Sequence, residues 1–403
     1  MSKLRIAFAT PEYITEKHFD GGLANYLYRT ATTLANLGHD VHVITLSQTE
    51  QAQFQHHGVT VHRLLLSNRW YAVNRFTRYQ FPTALHWFNL STRVYQKLRQ
   101  LNAEQPFDIA QFPNYSYCGL FSILFSGIPH VLRASSDEPF FEDPEKEQTL
   151  DFKLLQLLEK IQYRRSRYVF LPSHGLRETL ASKHAVRAEV IINAVDGQTD
   201  NPNSAVCDGL FPGREFILFF GRFERRKGFA VLAHALQEAL SANEEMYAVL
   251  VGRDVATSEI PSMAGYARSL CREIGERLIV LDPLAHDQLY PIIARAKLVV
   301  LPSVIDNLPN ACLEAMALGK VVIGTRESTL DEVIVDEENG FLVPAGDAEA
   351  LRKKIVYAWH HSNLEAIGSA AKQKTLEFSR EKAATALLNY YQSVIDDRRR
   401  HNA

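Results

Sequence analysis

Cysteine is scarce in this 403-residue chain: Cys118, Cys207, Cys271 and Cys312 are all there is, and no two form a C-x-x-C pair. Neither a disulfide framework nor a thiolate zinc site is expected. Long apolar runs are missing too, since none approaches the ~18 residues that a membrane span needs. The opening "MSKLRIAFAT" is broken by Pro11 too soon to read as a signal peptide. A net charge of −2 gives no reason to expect nucleic acid as the main partner. No G-x-G-x-x-G follows a strand-like run, which disfavours a dinucleotide dehydrogenase. These absences together predict a soluble, reduced, cytoplasmic protein.

What is present is alternation. A hydrophobic content of 46% over this length suffices for two cores, so two domains are expected. "LRIAFAT" (4–10) reads as a strand, and Leu23 to Leu37 carries apolar residues at the helical period. Gly38 stands where a helix-ending glycine belongs, and "VHVIT" (41–45) supplies the next strand. This βαβ unit implies a parallel sheet covered by helices. The pattern restarts with five strand-like runs at 216–223, 247–252, 277–282, 297–303 and 320–325. The Asn-, Asp-, Gly- and Pro-rich stretch 193–215 reads as a linker. Two doubly wound α/β domains facing a central cleft are expected, with ligands outside the carboxyl ends of the strands.

Two segments of the second half carry chemistry. "VLPSVIDNLPNACLEAMALGK" (300–320) places Asp306 before a helix start marked by Pro309, and Glu314 about one turn inside it. The amides of Asn310, Ala311 and Cys312 would form a positive helix end suited to phosphate. Carboxylates on either side could accept hydrogen bonds from sugar hydroxyls. A capped core helix with two solvated acids is the plainer alternative. "FFGRFERRKG" puts Arg222 and Lys227 directly after a strand, where cations can neutralise a diphosphate. Together the two segments suggest a diphosphate clamp.

"GRFERRKG" resembles the GR-x4-KG signature of the retaining family 4 glycosyltransferases (glycosyl transferase group 1). "DNLPNACLE" resembles their E-x7-E motif, with Asp306 in place of the first Glu. "GGLANYLYRTATTLANLGHDVHVIT", "VIINAVD" (190–196), "DEVIVDEENGFLVPAGDAEAL" and "FSREKAATALLNYYQ" (378–392) are similar to four further segments in the family's order. The resemblance implies the GT-B fold, with residues 1–200 and the crossing helix 379–403 as acceptor-binding domain and 201–378 as donor-binding domain. It implies transfer of a sugar from a nucleotide-diphosphate sugar, with retention of configuration, to a glycan, lipid-linked or small-molecule acceptor. Arg222 and Lys227 would then bind the diphosphate, Asp306 the sugar hydroxyls and Glu314 the ribose. Gly21 and Gly22 would let backbone approach the donor closely, and the base would lie near Pro283 and Leu284. No D-x-D occurs in the sequence, so neither metal nor cofactor is expected, and front-face attack is favoured for want of an evident nucleophile.

The chain departs from the family in two places. In "HVLRASSDEP" (130–139) Ser135 takes the place of a family histidine, while His130 reads as the start of a strand. Ser328 and Thr329 stand where the family has Gly-Gly. The first change motivates a second reading, a weakly active or inactive nucleotide-sugar- or glycan-binding protein on the same fold. A sugar-nucleotide epimerase lacks the paired His and acid residues it would need. Finally, Gln51 to Ala103 holds no Asp or Glu but seven Arg or Lys and nine aromatic residues. An ordinary helical pair with core aromatics is one reading; an acceptor site, or a patch for peripheral contact with an anionic membrane, is another. Arg75 and Arg78 of this segment, with Arg133 and Ser135, are the acceptor-side candidates.

Overall fold

The structure, a computed structural model, describes residues 2–16, 22–67, 69–135, 149–195, 197, 202–257 and 259–402. The chain divides into one unit of Met1–Ala194 with Arg380–Ala403, and another of Val195–Ser379. The first unit is built on an eight-stranded sheet. Its strands are β1 (Arg5–Thr10), β2 (Asp40–Leu46), β3 (Ala52–His56), β4 (Val59–Leu64), β5 (Ile109–Pro113), β6 (His130–Arg133), β7 (Val169–Leu171) and β8 (Ala188–Val190). They lie in the order β3-β4-β2-β1-β5-β6-β7-β8. Side chains alternate across the strands and fill a core on each face. Ile6, Phe8, Val41 and Val43 meet Leu27, Ala31 and Leu34 of the helix Gly22–Asn36, together with Leu388, Tyr391 and Val394 of the final helix. Ala7, Ala9, Ile44 and Phe112 instead meet Leu90, Val94 and Leu98 of the helix Pro82–Glu104. The last helix thus belongs to the first unit's core, although 185 residues of the second unit precede it in sequence.

One edge departs from the expected parallel sheet. Residues 51–64, read as part of a helical pair, form the antiparallel hairpin β3–β4. Its turn residues, His57 and Gly58, both have positive φ (48° and 80°), as a two-residue hairpin turn matching strand twist requires. Helices do follow, at Arg69–Phe76 and Pro82–Glu104.

The second unit carries a six-stranded, all-parallel sheet in the order β11-β10-β9-β12-β13-β14. Its members are β9 (Ile217–Phe220), β10 (Ala248–Val251), β11 (Leu278–Leu281), β12 (Leu298–Leu301), β13 (Val321–Thr325) and β14 (Phe341–Val343). The expected linker is only partly one. Its later half folds as the helix Ala205–Gly209, where Arg295 donates to the Cys207 and Phe211 carbonyls at 2.5 and 3.1 Å. Strand order reverses between β9 and β12, the point where an open α/β sheet leaves a crevice at its carboxyl edge. Both charge-bearing segments of the sequence emerge there.

Candidate functional site

The loop after β9 runs through Arg222 and a short turn, Arg225–Lys227, to Gly228. The loop after β12 runs through Ser303 and Asp306 to the helix Asn310–Ala317. Gly228 lets the two loops touch. Its φ is +67°, and a Cβ there would stand 1.8 Å from the Pro302 carbonyl oxygen, so no other residue fits without moving backbone. The Val304 amide donates to the Arg226 carbonyl at 2.8 Å and fixes the register between them.

Across this seam the Lys227 ammonium donates to Asp306 Oδ2. Ser303 Oγ donates to the same oxygen at 3.1 Å, and the Asn307 amide donates to Oδ1 at 2.9 Å. Burial alone would raise the Asp306 carboxyl. The Lys227 charge and hydrogen bond, with Arg226 and the Asn307 amide, instead carry it below the ordinary aspartate value. Arg222 is half-exposed and reaches Glu224 Oε1 at 3.2 Å, and Arg226 reaches the same oxygen. Glu224, overlooked in the sequence, therefore holds both arginines beside the seam. The structure joins Arg222, Lys227 and Asp306 at one strand edge.

The helix Asn310–Ala317 begins as its sequence requires, though with Pro309 as cap rather than in the first turn (φ −64°, ψ 131°). One expectation fails here. The Cys312 amide is spent on the Pro309 carbonyl at 3.0 Å, so it drops out as a candidate phosphate-facing amide. Glu314 is buried, and His286 Nε2 lies 4.0 Å from its Oε1. His286 opens the helix that follows the β11 loop, in which Pro283 is exposed and Leu284 half-buried. Sequence reasoning missed His286, although it lies two residues past Leu284. Cys312 offers no nucleophile: burial, then the Asp306 charge, push its thiol well up.

In the first unit, Gly21 lies outside the described residues, while Gly22 opens the helix Gly22–Asn36. His130 begins β6, as its sequence suggests, and Arg133 ends it, fully buried. The Arg133 guanidinium stacks on Tyr26 at 3.7 Å and donates to Asn193 Oδ1 at 3.0 Å; its Nη1 has no hydrogen-bond partner among the described residues. The Ser135 amide donates to Asn114 Oδ1 at 3.0 Å. Arg75 and Arg78 are exposed beside Val73, Phe76 and Tyr79, whereas Arg133 is buried. Among the described residues no helix is long and apolar enough to cross a membrane.

Comparison with known proteins matches these features. Residues 214–361 fit the family model "Glycosyl transferases group 1", and residues 21–194 fit "Glycosyl transferase 4-like domain". The chain is 29% identical over 218 residues to the lipopolysaccharide core biosynthesis mannosyltransferase LpcC of Rhizobium leguminosarum, covering 52% of this chain and 61% of that protein. It is 28% identical over 297 residues to the alpha-maltose-1-phosphate synthase of Mycobacterium tuberculosis, covering 68% and 75%. Among solved structures it is similar to a sucrose-phosphate synthase from Thermosynechococcus elongatus, with a TM-score of 0.76, 19% identity, and 98% and 100% of the two chains covered. Anabaena HepE in complex with UDP-glucose is similar at a TM-score of 0.71 and 18% identity, over 97% and 100%. With both halves matched in order and the fold shared along its length, the chain belongs to the group 1 glycosyltransferases and is a glycosyltransferase of the GT-B fold.

Proposed function

We propose that the protein is a retaining glycosyltransferase that moves a sugar from a nucleotide-diphosphate sugar to a glycan, lipid-linked or small-molecule acceptor. The observation that carries this reading is the Lys227–Asp306 pair at the strand-order reversal, with Arg222 beside it. Departure of a nucleoside diphosphate builds negative charge, and preorganised cations lower the cost of that step. Lys227 and Arg222 supply such charge without a metal, and the Asn310 and Ala311 amides add the helix end. Asp306 accepts from sugar hydroxyls, and buried Glu314 accepts from ribose. With Cys312 protonated and Asp306 engaged, retention proceeds by attack on the face the diphosphate leaves, a phosphate oxygen taking the acceptor's proton. UDP-glucose in the HepE structure supports a nucleotide-sugar donor.

A panel of sugar nucleotides tests this by thermal shift and by release of nucleoside diphosphate. One donor is expected to raise the melting temperature and to turn over equally well in excess chelator. No shift from any donor would defeat the reading. Loss in chelator, restored by magnesium or manganese, would defeat its metal-free part. Ser135 in place of the family histidine favours a second reading, a binding protein, and tight donor binding with no turnover would select it.

A further inference from the structure

The loop after β13, Arg326–Thr329, is laced onto the loop that carries Asp306. Thr325 Oγ1 donates to the Ser303 carbonyl, and Ser328 Oγ donates to the Thr325 carbonyl at 2.8 Å. Thr329 goes further. Its Oγ1 donates to the Asp306 carbonyl at 3.1 Å and accepts from the Leu308 amide at 2.7 Å, so one hydroxyl spans both sides of the acid's turn. Thr329 does this from φ +65°, ψ −5°, a left-handed conformation that a β-branched residue rarely adopts. Leu308, the residue it holds, also has positive φ (53°) and is buried. Such strain persists only where surrounding structure over-determines it, and it clusters at sites that need preorganisation. Glycine would suit the backbone at 329 better; only the hydroxyl explains a threonine there.

We propose that Thr329 is a positioning residue, whose hydroxyl fixes the turn Asp306–Leu308 and so holds the Asp306 carboxylate for the donor sugar. It rests on the donor-site reading above. Aspartate is one methylene shorter than glutamate and reaches less far, so the backbone behind it must be set more closely. The Asp306 carboxylate is oriented at its oxygens by Lys227, Ser303 and the Asn307 amide. Thr329 acts on the backbone behind it, at the carbonyl of Asp306 itself. Its hydroxyl bonds hold the turn behind the sugar-facing acid rather than Arg222 or Glu314, so nucleotide affinity should not depend on it.

Thr329→Val keeps the shape and removes the hydroxyl, Thr329→Ser keeps the hydroxyl, and Thr329→Gly relieves the backbone while removing the bridge. Native-state exchange of the Leu308 amide is expected to quicken roughly tenfold in Val and Gly but not in Ser. The turnover number should fall roughly tenfold in Val and Gly, stay near wild type in Ser, and leave nucleoside diphosphate affinity unchanged in all three. The Gly variant should melt no lower than wild type, which separates the effect from misfolding even if Val fails to fold. Wild-type exchange and turnover in Gly, or equal damage from Ser and Val, would overturn the proposal. A wild-type enzyme inert toward every sugar nucleotide would defeat the donor reading instead, and Leu308 exchange would still decide whether the hydroxyl fixes the turn.

Discussion

The two units share a plan but furnish their strand edges differently. In the second, the edge at β9 and β12 is charged, and its charges are matched: Lys227 with Asp306, Arg222 and Arg226 with Glu224. In the first, the ends of β5 and β6 carry a largely neutral network. Asn114 accepts from the Ser135 amide and donates to Tyr163 Oη at 3.2 Å, and Gln162 donates to the Asn114 carbonyl at 3.1 Å. Arg133 is charged, and among the described residues it faces the Tyr26 ring and an amide rather than a carboxylate. A matched charged edge can take a diphosphate if its acids then find other donors, such as sugar hydroxyls. A neutral edge suits hydroxyls. The same topology thus provides two chemistries, which is why fold alone does not name a substrate.

The largest expected effect is on the charged edge. Arg222→Ala and Lys227→Ala should each lower turnover by roughly 10²–10³, as loss of one transition-state charge donor does, with melting temperatures close to wild type. Near-normal turnover in both, at saturating donor, would remove the distinction between the edges. On the neutral edge, Arg133→Met should keep the fold, because it deletes a buried guanidinium that no carboxylate among the described residues offsets while retaining an apolar stem. If Arg133 serves the acceptor side, acceptor KM should rise roughly tenfold while donor hydrolysis is unchanged. Unfolding of this variant would show a structural role instead.

Acid should also separate the units. Burial holds His42 and His130 below the ordinary histidine value, and burial with the Lys97 charge brings His62 down to about 3. All three belong to the first unit. The unfolded chain takes up protons near pH 6.5 where these folded histidines do not. Stability is therefore present above 6.5 and falls as pH drops below it, down to about pH 3 for His62, by at most about 1.4 kcal/mol per pH unit for each group. Asp306 has the same sign in a lower window: its carboxyl is held below the usual value, so its contribution is intact above pH 3.8 and is lost only as pH falls further. Hydrogen exchange at pH 7 and pH 5 should show the first unit loosening while the loops at β9 and β12 stay protected. Uniform loosening would contradict this assignment.

Much of this was legible in the sequence, for a physical reason. Parallel strands buried on both faces read as unbroken apolar runs, and β9 to β13 lie inside the runs expected for them. The strand β14 is only Phe341–Val343, too short to stand out. The β3 strand reads as polar because Gln53 and Gln55 alternate along a sheet edge. The placement of Arg222, Lys227 and Asp306 in the loops after β9 and β12 was legible because each follows a strand whose end could be read. Thr329, Glu224 and His286 were not, because their roles arise from hydrogen bonds and approaches between loops. The Cys312 amide was misjudged for the same reason: a tight turn at Pro309 consumed it.

The central claim is that Asp306 and Glu314 grip different parts of one donor. Calorimetric titration with UDP, GDP and ADP, using whichever the wild type binds, tests it most directly on Asp306→Asn and Glu314→Gln. On the proposed function Asp306 contacts a sugar that gains positive charge as its bond breaks, so its loss should collapse turnover. It should leave nucleoside diphosphate affinity unchanged or tighter, because Lys227 is released to the phosphates. Glu314→Gln should bind the same nucleotide measurably more weakly. Equal affinity in the wild type and both variants would mean that the helix Asn310–Ala317 is a capped core element and that the donor binds elsewhere.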